Sequence, residues 1–265
     1  MEFEALPDEL TKALSGLAIG PIQYFDSIGS TNDEAARWAD AGASDLALVV
    51  ADEQTYGRGR AGRRWFTPPG CALAFSLVLR FNAGIDLPHL LPRVTALAGL
   101  AVSDALTLDY RLSTEIKWPN DVLIRRRKAA GILAESHWLG DELSAVILGV
   151  GVNVKEGSVP PPGELLFPAT SVEEEAEYPL DRYELLALIL KHLLDRHETL
   201  DGEAFLRDWE ERLAFRGEWV QILDQGKILE SQLLGLNPDG SLQLVSRTGQ
   251  VLNILTGDLR LRPAL

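Results

Sequence analysis

Apolar residues along this chain fall into two patterns, short unbroken runs and stripes of helical period. Leu46–Ala51 is unbroken and short, which fits a buried strand. Cys71–Arg80 alternates large and small residues and reads as another strand, with Cys71 on its apolar alternation. Gly131–Trp138 and Leu143–Val154 flank Leu139-Gly140-Asp141-Glu142, the arrangement of a two-stranded hairpin. Thr31-Asn32-Asp33-Glu34 fits a capping box, and good helix formers follow to Ala41 before Gly42. Pro88–Leu108 predicts a long apolar helix, with Pro92 near its first turn where a missing amide does little harm. Tyr183–His197 carries leucines and Ile189 at helical spacing, and Phe205, Trp209 and Leu213 recur on the helix after it. Val159–Gly163 and the acidic Glu173–Glu177 read as loops.

Beyond Arg216 the pattern changes. Five short runs follow, near Trp219–Asp224, Lys227–Leu236, Ser241–Ser246, Gln250–Leu255 and Asp258–Arg262, punctuated by Gly226, Pro238-Asp239-Gly240, Thr248-Gly249 and Thr256-Gly257. The expected fold class is therefore α+β. A mixed β-sheet domain covered by helices spans residues 1–215, and a small SH3-like β-barrel spans 216–265, with the boundary near Phe215.

Composition narrows the class. The chain has 265 residues, 46% hydrophobic and 24% charged, enough for a full core without a disulfide or metal staple. No unbroken run of 18 apolar residues occurs, so no membrane span is expected, and the acidic start lacks the basic region of a secretory signal. The single cysteine points to a reducing, cytoplasmic setting. With 25 basic against 39 acidic residues the net charge is −14, a balance unsuited to nonspecific nucleic-acid binding. Two basic islands stand out, Arg58, Arg60, Arg63 and Arg64 in one and Lys117, Arg125, Arg126, Arg127 and Lys128 in the other. They suggest a local anion site, although solvated loops account for Arg125–Arg127 about as well.

Gly57-Arg58-Gly59-Arg60-Ala61-Gly62 matches the dinucleotide pattern G-x-G-x-x-G, but Thr67-Pro68-Pro69-Gly70 follows where that motif needs a helix. The segment reads instead as a loop whose glycines allow close approach and whose arginines offer paired donors to phosphate or carboxylate. Lys117-Trp118-Pro119-Asn120-Asp121 supplies polar groups suited to phosphate, base or magnesium, or else a strand ending in a turn. Lys128 stands at the mouth of an apolar strand beside Gly131. Gly149, Gly151 and Asn153 suit a flat ligand against the backbone, or a bulged strand.

Together these segments resemble the biotin protein ligases: Ser30-Thr31-Asn32, Asp52-Glu53-Gln54, the Gly57–Trp65 loop, Lys117–Asp121, Lys128-x-x-Gly131-Ile132-Leu133-x-Glu135 and Gly149-x-Gly151-x-Asn153, in the family's order and spacing. The resemblance covers about residues 22–262. It implies an enzyme that joins biotin to ATP as biotinyl-5′-adenylate and passes biotin to a lysine of a biotin carboxyl carrier protein of acetyl-CoA carboxylase or a related carboxylase. Carried over by position, Ser30, Thr31, Asn32, Gln54 and Gly131 would meet biotin, and Gly57, Arg58, Gly59 and Arg60 would close over it. Arg58 and Arg60 would lie near phosphate, with Lys128 on the carboxylate and the developing charge. Trp65, Lys117, Asn120, Asp121, Asn153 and Ala169 would serve the nucleotide, Asp121 would hold Mg2+, and Phe167 would cover the adenine. ATP, biotin and magnesium are the expected small molecules, with no tightly bound prosthetic group and no nucleophilic side chain. Only about twenty residues precede Pro21, too few for the DNA-binding domain of bifunctional relatives, so no DNA partner is expected. Homodimerisation through a sheet edge stays open. The competing readings are a lipoate or octanoate ligase on a related fold, a non-catalytic binder of biotin or nucleotide, and a nucleic-acid binder.

Overall fold

The computed structural model describes residues 5–81, 87–161, 163, 165, 167–200, 202–224, 227–254 and 262–263. Seven strands, β1 (Ile22–Ile28), β2 (Ala47–Gln54), β3 (Ala72–Leu79), β4 (Thr114–Lys117), β5 (Asp121–Ile124), β6 (Arg127–Leu139) and β7 (Glu142–Asn153), form one sheet in the order β1-β2-β3-β7-β6-β5-β4. β1 and β2 are parallel, and every other neighbouring pair is antiparallel. The helices are α1 (Asp8–Ala13), α2 (Thr31–Asp40), α3 (Leu87–Asp104), α4 (Val172–Ala176), α5 (Arg182–His197) and α6 (Glu203–Glu211).

The central strands read as unbroken apolar runs because both faces of the sheet are covered. Successive side chains of a strand point to opposite faces. Ala47 and Val49 of β2 therefore pack with Ala35 and Ala39 of α2. Leu48 and Val50 join the larger cluster with Val94 and Leu97 of α3 and Leu186 and Ile189 of α5. α3 holds Pro92 inside the helix rather than in its first turn, and continues as a π turn over Ala105–Asp109. Leu90–Asp109 is long and apolar enough by composition to cross a membrane, but 72% of it is buried inside the protein as a core helix.

One loop expectation is corrected. Glu173–Glu177 lies largely in α4, whose N-cap Ser171 side chain accepts from the Glu174 amide. The charges that suggested a loop are neutralised. The buried Glu175 carboxylate takes Arg127 at 2.5 Å and the Thr170 hydroxyl at 2.9 Å, while Arg127 also reaches Glu174 at 2.6 Å. Arg126 in turn bridges Glu115 at 3.0 Å and Glu218 at 2.7 Å. The Arg125–Arg127 run is thus a clamp between segments, not an anion site. Cys71 is also corrected: it precedes β3 and is only half-buried.

The second sheet comprises β8 (Trp219–Asp224), β9 (Lys227–Leu236), β10 (Leu242–Ser246), β11 (Val251–Ile254) and β12 (Arg262–Pro263), antiparallel in the order β11-β10-β9-β8-β12. Most of the expected last run, Asp258–Arg262, lies outside the described residues, as do Gly226, Leu255 and Thr256-Gly257. Phe215 is buried, and Val220, Leu233 and Leu244 of the second sheet belong to the same core cluster as α3 and α5. α6 ends before Leu213, and the chain beyond it lies along the outer strand β4: the Ile116 amide donates to Arg212 O at 2.7 Å, and the Ala214 amide donates to Ile116 O at 2.9 Å. That pairing covers an otherwise open sheet edge.

Candidate functional site

Thr31 opens α2 with Ser30 as N-cap, one residue earlier than the capping-box reading, and the Ser30 side chain makes no capping bond. The cap comes from another strand instead. Gln54 at the end of β2 turns its Oε1 to the Thr31 amide at 2.9 Å and to the Thr31 hydroxyl at 3.1 Å. Its Nε2 donates to Thr67 Oγ1 at 3.1 Å. A helix start leaves amides without partners, so a long-range acceptor there fixes both elements at once. Ser76 of β3 lies fully buried beneath them, 2.8 Å from Thr31 Oγ1 and donating to Asn32 Oδ1 at 2.6 Å. Asn32 Nδ2 donates to Glu135 Oε2 at 2.7 Å.

Glycines make the floor. Gly131 and Gly151 pair directly across β6 and β7. A Cβ at Gly151 would fall 2.2 Å from Trp65 Nε1, and one at Gly131 would fall 2.9 Å from Trp65 Cζ3. The Trp65 indole therefore lies on a bed only glycine allows, and its buried Nε1 has no hydrogen-bond partner. A Cβ at Gly149 would sit 2.0 Å from Asn32 Oδ1. The space left among Ser30, Thr31, Gln54, Trp65 and these glycines is about 40 Å³. A second cavity of about 660 Å³ opens beside it, bounded by the Tyr56–Arg64 loop, Trp118-Pro119, Ile132 and Trp209.

The loop over these cavities is a tight turn rather than a helix start. The Gly59 amide donates to Arg63 O at 2.7 Å, the Trp65 amide donates to Gly57 O at 2.8 Å, and Ala61 takes a φ of 55°. That confirms the rejection of the dinucleotide motif. Arg58, expected near phosphate, is instead paired in two bonds of 2.7 Å with Glu135 and reaches Asp33 at 2.8 Å. It latches the loop to β6 and α2. Arg60 is half-buried and lines the larger cavity.

On the other side, Lys117 closes β4, and Trp118-Pro119-Asn120 turns into β5 through a cis Trp118–Pro119 bond. Asp121 is buried with Lys128 Nζ at 2.6 Å and Lys117 Nζ at 3.0 Å. Burial favours the neutral carboxyl, but Lys128 and Lys117 outweigh it and hold the group down at about 2. Lys128 Nζ also sits 5.1 Å over the Trp65 ring, and Lys117 Nζ sits 4.9 Å over Phe167. Two lysines against one aspartate leave a net positive charge beside the Trp65 ring, which borders the smaller cavity. Each Asp121 oxygen already holds a lysine, and no cluster of three His, Cys, Asp or Glu occurs among the described residues. In this structure Asp121 is the counter-ion of both lysines.

Asn120 Nδ2 donates to Ile132 O at 2.9 Å, and Asn153, expected at the adenine, is buried with Nδ2 donating to Thr170 O at 3.1 Å and Lys128 O at 3.4 Å. Both asparagines hold backbone. Ala169 pairs with Lys128: the Lys128 amide donates to Pro168 O at 2.7 Å, and the Thr170 amide donates to Lys128 O at 3.0 Å.

Residues 24–153 match the Biotin/lipoate A/B protein ligase family. A biotin--[acetyl-CoA-carboxylase] ligase of Paracoccus denitrificans is 38% identical over 235 residues, 83% of this chain and 92% of that one. The chain belongs to the biotin protein ligases. The bifunctional ligase/repressor BirA of Bacillus subtilis is 33% identical over 242 residues, 90% of this chain and 73% of that one. The biotin protein ligase of Aquifex aeolicus in complex with biotin and ATP superposes with a TM-score of 0.77 at 28% identity, covering 92% of this chain and 99% of that one.

Sequence reading of this biotin protein ligase missed Ser76, Thr67 and Asp33. Ser76 left a trace, a lone hydroxyl in the otherwise apolar run of β3. Glu135 stood in a motif without a role, and only the fold shows it holding Arg58 and Asn32.

Proposed function

We propose that this chain is an ATP-dependent, AMP-forming ligase. It activates biotin as biotinyl-5′-adenylate and transfers biotin to a lysine of a biotin carboxyl carrier protein. The observation that carries the reading is the place of Lys128: its ammonium lies between the glycine-floored pocket of Thr31 and Gln54 and the charged turn of Lys117 and Asp121. A carboxylate extending from the pocket and a nucleotide phosphate both approach that ammonium.

In the first step a biotin carboxylate oxygen bonds to the α-phosphorus of ATP, and the bond to the bridging oxygen breaks to release pyrophosphate. Both reactants are anions, and Lys128 with Arg60 offsets their repulsion where negative charge builds up. Holding them in line accounts for much of the remaining rate. Magnesium brought with ATP would offset part of the phosphate charge that Lys128 and Arg60 face. In the second step the carrier's lysine amine bonds to the acyl carbon, AMP leaves with the bonding pair, and the amine gives up a proton. The Gly57–Trp65 loop keeps water from the mixed anhydride between steps. The Thr31, Gln54 and Ser76 group presents neutral donors and acceptors, which suits the uncharged head of biotin.

ATP–pyrophosphate exchange with biotin, lipoate and octanoate tests the proposal. Exchange with biotin alone supports it. Exchange with lipoate or octanoate alone reassigns the substrate, and none with any acid makes the protein a binder.

A further inference from the structure

Trp118 lies inside the charged turn, between Lys117 and Asp121, but its ring leaves that turn for the second sheet. Its side chain is 1% exposed, and its Nε1 donates to Gly240 O at 3.1 Å. Gly240 lies in the turn between β9 and β10 of the second sheet, where the Asn237 amide donates to Ser241 O at 2.9 Å and the Gly240 amide to Asn237 O at 2.8 Å. The carbonyl two residues earlier is held as well: Arg93 of α3 donates to Pro238 O at 3.0 Å and to Leu200 O at 2.8 Å. Gly240 has a φ of +79°, and a Cβ there would fall 2.9 Å from Trp209 Cζ3 and 3.5 Å from Pro92 Cβ. Trp118, Pro92 and Trp209 line the larger cavity. Two carbonyls of one turn are therefore gripped by side chains of the first sheet's domain, at the wall of the cavity.

We propose that the β9–β10 turn is a brace for the nucleotide half of the site, with Trp118 as its positioning residue. The inference rests on the function proposed above. Trp118 is bonded to Lys117 on one side and stands two residues before Asn120. A shift of the indole moves the backbone that carries Lys117 and Asp121, and with Asp121 the ammonium of Lys128. The Thr31–Gln54–Ser76 group hangs on α2, β2 and β3 and has no bond to the β9–β10 turn. Loss of the brace therefore weakens ATP use and spares biotin.

The test compares three variants in biotin-dependent ATP–pyrophosphate exchange, with thermal unfolding of each. Trp118→Phe keeps a ring and removes the N–H. Gly240→Ala displaces the same carbonyl from the other sheet. Gly249→Ala is the control, a turn glycine of the same sheet with a φ of +83° and nothing within 4 Å of an added Cβ. Trp118→Phe and Gly240→Ala are expected to raise the KM for ATP about tenfold, equivalent to about 1.4 kcal/mol, with the KM for biotin within about twofold of wild type. Gly249→Ala is expected to leave both unchanged. If Trp118→Phe does not fold, Gly240→Ala carries the comparison. A wild-type KM for ATP in the folded variants, an equal loss for both substrates, or an equal effect of Gly249→Ala overturns the brace. Absence of exchange in wild-type protein overturns the reading of the site itself, and the inference with it.

Discussion

Thr31, Gln54, Thr67 and Ser76 hold one another through neutral hydrogen bonds over a bed of glycines, whereas Lys117, Asp121 and Lys128 hold one another by charge. The first group sits on strands and a helix that the core already fixes. The second sits at the ends of β4, β5 and β6, beside a turn whose Trp118 bonds to a second sheet, 122 residues further along the chain. The difference matches the reactants proposed. A neutral head is recognised by shape and by satisfied donors and acceptors, while a carboxylate and a triphosphate need positive charge held where they meet.

The sharpest way to break the comparison is Lys128→Ala. Adenylate formation is expected to fall more than about a hundredfold, with biotin affinity much less affected, read as pyrophosphate exchange against equilibrium binding. A variant with wild-type exchange ends the charged role. Gly151→Ala attacks the other half: its Cβ meets Trp65, so biotin affinity is expected to drop about thirtyfold by calorimetry, a change of about 2 kcal/mol. Gln54→Ala removes the acceptor of the Thr31 amide and is expected to lose about 1 kcal/mol of stability and about fivefold in biotin affinity, leaving the KM for ATP unchanged.

Asp121→Asn sharpens the contrast through pH. The native carboxyl is held at about 2, below its ordinary value of 3.8, so it adds stability that is fully present above about pH 4. That stability is lost as pH falls toward 2. Urea midpoints of wild type and Asp121→Asn are thus expected to differ most above pH 4 and to converge toward pH 2. Parallel curves over that range contradict the counter-ion role. The smallest effect belongs to Arg58→Gln. Its pairs with Glu135 and Asp33 are partly exposed, so stability is expected to change by less than about 1 kcal/mol. Faster amide exchange across Gly57–Trp65 is the signature of a lost latch.

Much of this molecule was legible in the sequence, because the relevant signals are local. Apolar runs marked β2, β3 and the β6–β7 hairpin, and helical spacing marked α3 and α5. The motifs collected Ser30, Thr31, Gln54, the glycine–arginine loop, Lys117, Asp121 and Lys128; the fold sets the first three and the loop around adjoining cavities, and Lys128 against Trp65 beside them. α4 escaped because three consecutive glutamates repel one another in isolation, and Arg125 and Arg127, from another segment, neutralise that repulsion. The role of Arg58 escaped for a related reason. An arginine in a glycine loop suits phosphate equally well until Asp33 and Glu135 are known to stand beside it.

The sequence by itself therefore determined the elements, the chemistry available and the family, since period, turn residues and motif spacing are properties of neighbours along the chain. Tertiary structure alone decided which polar groups satisfy each other. It set Gln54 as the cap of α2, Asp121 as the counter-ion of two lysines, Asn153 as a backbone clamp, and Gly240 as the partner of Trp118. Those choices depend on distance across the fold and on burial, because a buried polar group takes whichever partner the packing brings within reach.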